Sequence, residues 1–251
     1  MSNERKAGTQ IVAAVLLIAA FASFCFLVFY RLRYNWNWHD FLVYHQQILR
    51  GWYVTIAISL GALAASGILG ILLLLGQRSG LKALEWFCRG YVEFVRGTPL
   101  LVQLMVGYYL VSDALGLSNK IVIGILLLAS FAGAYIGEIL RGGIESIDRE
   151  QIESARAVGF DRFQVYRYVV FPQAIRRVMP ALAGQFVSLV KDSSLLSVIG
   201  IGEFTQEIRI ANAATYSAFE GFVPLALGYL VLTIPISIAA RSLERRMQYE
   251  S

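Results

Sequence analysis

Residues 148–180 read DREQIESARAVGFDRFQVYRYVVFPQAIRRVMP, a long basic stretch of soluble character inside an otherwise oily chain. The 251 residues are 57% hydrophobic and 16% charged. Mean hydropathy is +0.60, and the apolar runs reach the ~20 residues that cross a hydrocarbon core. A membrane protein exposes such a soluble segment to meet a partner. Local chemistry predicts two helices in it. Asp148 is placed to cap the first, with Gln151 completing a capping box and Glu153 near the positive end of the helix dipole. Gly159 can take the left-handed stop conformation, giving a helix of about three turns. Ser154, Ala155 and Ala157 are expected on its exposed surface, where small side chains admit a close partner. The second helix starts with Asp161 as cap, Gln164 at the third position, and Phe160 and Val165 as a hydrophobic staple. It is expected to stop before Pro172, because the residue preceding a proline is pushed out of the helical region.

Outward from this stretch, residues 11–30, 52–75, 91–111, 121–140 and 221–240 read as membrane spans. The run 181–201 is ambiguous by hydropathy, since it holds Gln185, Ser188, Lys191, Asp192, Ser193, Ser194 and Ser197. Charge resolves it. If the run crosses, the 148–180 stretch, with Arg149, Arg156, Arg162, Arg167, Arg176 and Arg177, shares a side with Arg241, Arg245 and Arg246. Arg5, Lys6, Arg78, Lys82 and Arg89 join them, and the positive-inside rule makes that side cytoplasmic. Arg31, Arg33, Arg50, Lys120 and Arg209 then fall outside. The expected fold is therefore an all-α integral membrane protein of six helices with both termini cytoplasmic. Residues 1–50 hold the first helix and an external loop, 51–245 a transmembrane domain including the cytoplasmic loop 141–180, and 246–251 a tail.

The basic start followed by an apolar run is too long for a signal peptide and ends in Phe29-Tyr30-Arg31 rather than small residues, so it reads as an uncleaved anchor. The aromatic tract 34–38 suits the outer interface. The pI near 9.3 is topological charge, and no nucleic-acid partner is inferred. Cys25 and Cys88 are too far apart in topology for a disulfide, and no ligand cluster suggests a metal. His39 and His45 read as solvated or interfacial. There is no G-x-x-x-x-G-K-[ST] loop, H-E-x-x-H or G-x-S-x-G, so the chain is not expected to bind ATP or to hydrolyse anything itself. An intramembrane enzyme would find only a fragment of a site in Lys191, Asp192 and Ser193. A secondary transporter or channel for a small polar solute is the alternative, although no pair of interrupted spans in matching halves points to one.

Charges at membrane depth are functional candidates because of their cost. Arg96, Glu138 and Arg141 lie near span ends, where ion pairing or snorkelling accounts for them. Gln185, Ser188 and Asp192 share a helical face, and with Lys191 they either line a path or pair internally. Gly133 and Gly137, and the stripe Ala57, Gly61 and Ala65, suit close helix contacts. Pro99, beside Gly97, and Pro235 are expected to bend their helices.

Glu153-Ser154-Ala155-Arg156-Ala157-Val158-Gly159 resembles the E-A-A-x-x-x-G loop of the membrane subunits of binding-protein-dependent ABC importers, and Phe171-Pro172-Gln173-Ala174 stands where that family has L-P-Q-A. Three further blocks are similar to the polar amino acid branch. Residues 94–103, FVRGTPLLVQ, match R-G-T-P-L; residues 134–144, AYIGEILRGGI, match A-Y-x-x-E-I-x-R-G-G-I; residues 191–195, KDSSL, match K-D-T-S-L. The resemblance runs from about Trp52 to the C-terminus. It implies a permease subunit of the bacterial cytoplasmic membrane, with a five-helix core to which the first helix is an addition. Glu153, Ser154, Ala155, Arg156, Ala157 and Gly159 would dock a cytosolic ATP-binding subunit that holds the ATP and magnesium; this chain would carry no cofactor. An extracytoplasmic amino-acid-binding protein and a second permease copy or paralogue are the other implied partners. Gln103, Gln185, Ser188, Lys191, Asp192 and Ser193 become the expected translocation path, and Arg96, Gly97, Thr98, Pro99, Glu138 and Pro172 the structural motif. Glu150, Ser154 and Phe171 depart from the usual Gly, Ala and Leu, while the Glu153 and Gly159 positions are kept.

Overall fold

In hydrocarbon the backbone's polar groups find partners only within a helix or a closed barrel, and this chain uses helices throughout; no strand occurs among the described residues. A computed structural model describes the backbone of residues 2–31, 34–217 and 219–248, and the side chains of these except 2–11, 25, 28–29 and 243–248. Arg5, Lys6, Cys25, Arg33, Arg245 and Arg246, and the tail beyond Gln248, thus lie outside the described side chains. Two units are distinguished, Met1–Asn37 and Trp38–Ser251. The first holds helix α1 (Ser2–Arg31), of 30 residues. The second begins with α2 (Trp38–Leu42) and α3 (His45–Gln77). Then come α4 (Lys82–Gly97) and α5 (Leu100–Val106), the latter widening into a π-helical turn at Gly107–Ser112. Next are α6 (Lys120–Glu145), α7 (Arg149–Ala157), α8 (Arg162–Gln164) and a second π turn at Val165–Val170. The chain closes with α9 (Phe171–Asp192), a 3₁₀ segment (Ser193–Ile199), α10 (Phe204–Thr215) and α11 (Phe222–Gln248). By length and composition His45–Gln77, Lys120–Glu145, Arg162–Ile199 and Phe222–Ser242 can each cross a membrane, and the α4–α5 pair makes a fifth span if counted as one.

The centre of the second unit is the close pairing of α3 with α6. A Cβ built on Gly70 would lie 2.6 Å from Cγ2 of Ile136 and 3.0 Å from the Gly137 nitrogen, so glycine there lets two backbones meet. Gly133 likewise admits Leu69, whose Cδ2 lies 2.8 Å from the built Cβ. The α3 stripe differs from the expected one. Ala57 is exposed, and the buried face runs through Thr55, Ser59, Ala62, Ser66 and Gly70. Of the hydroxyls on this face, Ser66 Oγ donates to the Leu63 carbonyl of its own helix at 3.0 Å and Thr55 Oγ1 to Glu203 at 3.3 Å. Ile58, Ala62, Leu104, Leu128, Leu189 and Leu196 complete the core with side chains from α3, α5, α6, α9 and the 3₁₀ segment.

The two prolines expected to shape or stop helices behave differently. At Pro99 the expected bend is present, with α4 and α5 meeting at 109°. Thr98 takes an extended conformation (φ −118, ψ 145) ahead of Pro99, which has no N–H to continue the ladder. The helix beginning at Arg162, by contrast, does not stop at Pro172. It continues through Pro172 and Pro180 to Ile199 over 38 residues. The π turn at Val165–Val170 sits directly before Pro172, and its wider hydrogen-bond spacing fits a residue without a donor. The soluble stretch from Arg162 onward and most of the run 181–201 are therefore one helix.

Candidate functional site

Helix α7 is fixed by its underside. Ile152 and Ala155, three residues apart and so on one face, pack with Ile147, Val165 and Val170. Ala155 is only 8% exposed, which corrects its expected place on the outer surface. Glu153, Ser154, Arg156 and Ala157 are exposed. The helix ends in a Schellman arrangement: the Phe160 N–H donates to the Ala155 carbonyl at 3.1 Å and the Gly159 N–H to the Arg156 carbonyl at 3.0 Å. Gly159 has φ +93, as a glycine stop requires. At the other end Asp148 has the backbone of a cap, but its side chain accepts no capping bond. Both halves of the expected box are diverted: the Gln151 N–H donates to the Asp148 backbone carbonyl at 3.2 Å, and Gln151 Oε1 accepts from Gln173 Nε2 at 2.7 Å. The second box does form, with the Gln164 N–H donating to Asp161 Oδ1 at 2.8 Å and the Asp161 N–H to Gln164 Oε1 at 2.9 Å.

These contacts tie α7 to its neighbours. Gln151–Gln173 joins it to α9, and the Arg177 guanidinium of α9 donates to the Ser146 carbonyl at the end of α6. Val158 and Phe163, each 75% exposed, flank the turn. Sequence reasoning missed them, although an apolar residue on either side of Gly159, in a polar stretch and outside any helical stripe, was a usable signal. The outer surface of α7 and the turn after it thus offers two exposed apolar side chains together with the exposed charges of Glu153 and Arg156, a combination that can seat in another protein's groove.

The Arg96-Gly97-Thr98-Pro99 segment forms the break between α4 and α5. Gln103 closes it: its amide nitrogen donates to the Val95 carbonyl at 2.7 Å, the Thr98 carbonyl at 3.1 Å and Thr98 Oγ1 at 2.7 Å. Thr98 Oγ1 in turn donates to the Phe94 carbonyl at 2.9 Å. On α9, Gln185, Ser188 and Asp192 are half-buried and Lys191 is exposed. Ser193 is buried and donates to the Val190 carbonyl at 2.7 Å. No ion pair joins Lys191 to Asp192 among the described residues. The α9 residues therefore form one group, while the bonds of Gln103 are local to the break.

Glu138 on α6 accepts from Arg96 at 3.2 Å and from Arg141 at 2.9 and 2.7 Å. Arg141 also reaches Glu145 at 2.5 Å, so charge clamps α4 onto α6 near α7. Arg96 lies over the Tyr135 ring, 5.5 Å from its centroid. A second polar centre was not foreseen. Glu203, fully buried, caps α10 by accepting from the Gln206 N–H at 2.8 Å and the Thr205 N–H at 2.9 Å. It also accepts from the Tyr229 hydroxyl at 3.1 Å and Thr55 Oγ1 at 3.3 Å, joining α10 to α11 and α3. Burial pushes its carboxyl up to about 6, with those donors pulling the other way. The clue in the sequence was an acid in the glycine-bearing turn 200–203, where a helix start needs an acceptor.

Residues 57–249 match the family described as binding-protein-dependent transport system inner membrane components. The chain is 36% identical over 198 residues to a probable glutamine ABC transporter permease of Bacillus subtilis, covering 79% of this chain and 92% of that protein. It is 32% identical over 202 residues to the arginine transport system permease of the same organism, covering 80% and 92%. Among solved structures, an amino acid ABC transporter crystallised with histidines matches with a TM-score of 0.79 at 32% identity, covering 85% of this chain and all (100%) of that one. An inward-facing methionine ABC transporter shares the fold with a TM-score of 0.66 at 21% identity.

Proposed function

Because the chain belongs to the family of binding-protein-dependent transport system inner membrane components, we propose that it is the permease subunit of an ATP-driven importer for a polar amino acid, with glutamine and arginine the first substrates to test. It is a non-catalytic transport component. ATP and magnesium are held by a separate cytosolic subunit, substrate is delivered by an extracytoplasmic binding protein, and a second permease copy or paralogue completes the pore. Both termini and α7 lie on the cytoplasmic side, in keeping with the basic residues of 148–180 and the tail. Residues 51–245 form the transport domain, 1–50 precede it and 246–251 form the tail.

The observation that carries this reading is the construction of α7. Its underside is packed, its end is locked at Gly159, its exposed surface carries Glu153, Ser154, Arg156 and Ala157, and the turn and helix that follow add exposed Val158 and Phe163. The ATPase docks on that surface. Its movement reaches the spans through Gln151–Gln173 to α9 and Arg177–Ser146 to α6. Gln185, Ser188 and Asp192 line the path with Lys191 and Ser193, where an acidic acceptor meets a substrate's ammonium group. Gln103, Arg96, Gly97, Thr98 and Pro99 maintain the α4–α5 bend that shapes the bundle, and the π turn before Pro172 keeps α9 continuous.

Cysteines placed at 157 and 163 should crosslink to the ATPase, whereas cysteines near Asn37, Ser118 and Asn212 should react with an impermeant label from outside. Labelling of position 162 from the outside, or an ATPase that copurifies unchanged when the exposed surface of α7 is replaced, would overturn the docking assignment.

A further inference from the structure

A cleft of about 590 Å³ opens between the end of α3 and the adjoining faces of α4 and α6. Its charged lining is Arg78, Arg89, Arg96 and Arg141 against Glu93, Glu138 and Glu145. Two of these carboxylates are already satisfied, Glu138 by Arg96 and Arg141, and Glu145 by Arg141. Arg78 donates to the neutral Tyr166 hydroxyl at 2.8 Å, and Arg89 makes no hydrogen bond or ion pair among the described residues. Two guanidinium groups, Arg78 and Arg89, are thus left without a carboxylate partner against the one unpaired carboxylate of Glu93, a surplus of one positive charge, and their planar forks suit phosphate oxygens. Gln77, on the same wall, is only 5% exposed, and its side chain is turned to the Glu138 carboxylate. The helix bordering the cleft, α4, departs from α5 by 109° and exposes Trp86 at 80% and Phe87 at 66%. Exposed aromatic rings on an amphipathic helix belong to the headgroup layer of a bilayer.

We propose that this cleft binds a phosphate group, that of an anionic phospholipid in the leaflet that α7 faces. The proposal rests on the cytoplasmic placement of this end of the bundle and goes beyond the transport reading. Arg78 and Arg89 hold the phosphate, and Trp86 and Phe87 seat α4 in the headgroup layer. Basic pockets between helices on the cytoplasmic side take anionic headgroups in this way, each cation near the surface adding a similar increment of attraction. Glu93, bonded to no described residue, opposes the anion.

The test uses the intact importer, permease with its ATPase, in detergent, with retained lipid read by native mass spectrometry after titration with phosphatidylglycerol or phosphatidylcholine. Phosphatidylglycerol should be retained in preference. Arg78→Ala and Arg89→Ala should each weaken its retention about fivefold. Glu93→Gln should strengthen it, an effect in the opposite direction that a folding defect cannot produce. Inorganic phosphate is titrated in parallel: displacement of the lipid, with the same dependence on Arg89, would make a soluble phosphate the occupant of the proposed site, whereas no displacement leaves the lipid as its ligand. Equal retention of the two lipids, unmoved by Arg89→Ala and Glu93→Gln, would overturn the proposal.

Discussion

Replacing Gly159 isolates the backbone contribution to α7. Its φ is +93, and a Cβ built there meets no heavy atom within 4 Å, so a substitution costs conformational strain alone. Alanine in left-handed backbone costs roughly 1–2 kcal/mol. Asparagine costs less, because it visits that region more readily. A β-branched valine should approach the upper end of the roughly 1–3 kcal/mol assigned to such strain. Against a total stability of about 5–15 kcal/mol the spans stay folded, but α7 has a small packed underside of its own and relieves the strain by releasing the Schellman bonds at Ala155 and Arg156. Each 1.4 kcal/mol lowers the docking-ready population about tenfold. Copurification of the ATPase and amino acid uptake should therefore fall in the order Gly, Asn, Ala, Val at constant membrane abundance. Gly142→Ala is the control, since Gly142 lies in α6 with ordinary φ and open space at its Cβ. If Gly159→Asn proved as damaging as Gly159→Val, bulk rather than φ would govern the site. If Gly159→Val assembled and transported like the parent, the locked end of α7 would have no part in coupling.

Gln103→Leu removes the donor that serves the Val95 and Thr98 carbonyls, at about 1–3 kcal/mol for each group left unpaired; thermal unfolding of the purified protein should shift down, and Gln103→Glu should not rescue it. Glu203 has a carboxyl raised from 4.5 to about 6 in the folded state. The fold therefore favours its protonated form, and this contribution is fully present below 4.5 and lost as pH rises through about 6, by up to roughly 2 kcal/mol. The difference in melting temperature between the parent and Glu203→Gln should change across that interval and be flat above it; a difference independent of pH would show that Glu203 does not titrate there. For Asp192, the absence of an ion pair with Lys191 predicts that Lys191→Met restores neither uptake nor abundance to Asp192→Asn, and full recovery in the double mutant would remove Asp192 from the path.

Much of the fold was legible because membrane helices announce themselves by length and charge: the runs at 52–75 and 121–140 fall inside described helices, and that at 221–240 does so from Phe222 on. The helix ends were harder. At Pro99 and Pro172 the sequence offers the same residue, yet one breaks its helix and the other rides within it, and the difference lies in what surrounds them. The Thr98 hydroxyl and the Gln103 amide satisfy a broken backbone at the first, while a π turn accommodates the second. Propensity cannot choose between these, because both depend on bonds made elsewhere in the chain. The turn at Gly159 and the box at Asp161 were readable since they are local. The Asp148 box was not, because Gln173, 22 residues away, takes the Gln151 side chain. Glu203 and Thr55 escaped for a similar reason, being 148 positions apart and meaningful only as a pair.

The helix that runs unbroken from Arg162 to Ile199 over 38 residues is about 57 Å long at 1.5 Å per residue. A rod of that length, pushed at the end beside α7, acts as a crank: a tilt of about 5° carries its far end through about 5 Å. The gain is large, so precision depends on stiffness along the shaft. The π turn and the prolines at 172 and 180 lie in the half nearest the push, and the α-helical stretch beyond them, which ends at Asp192 where the 3₁₀ segment begins, is left to move as one piece.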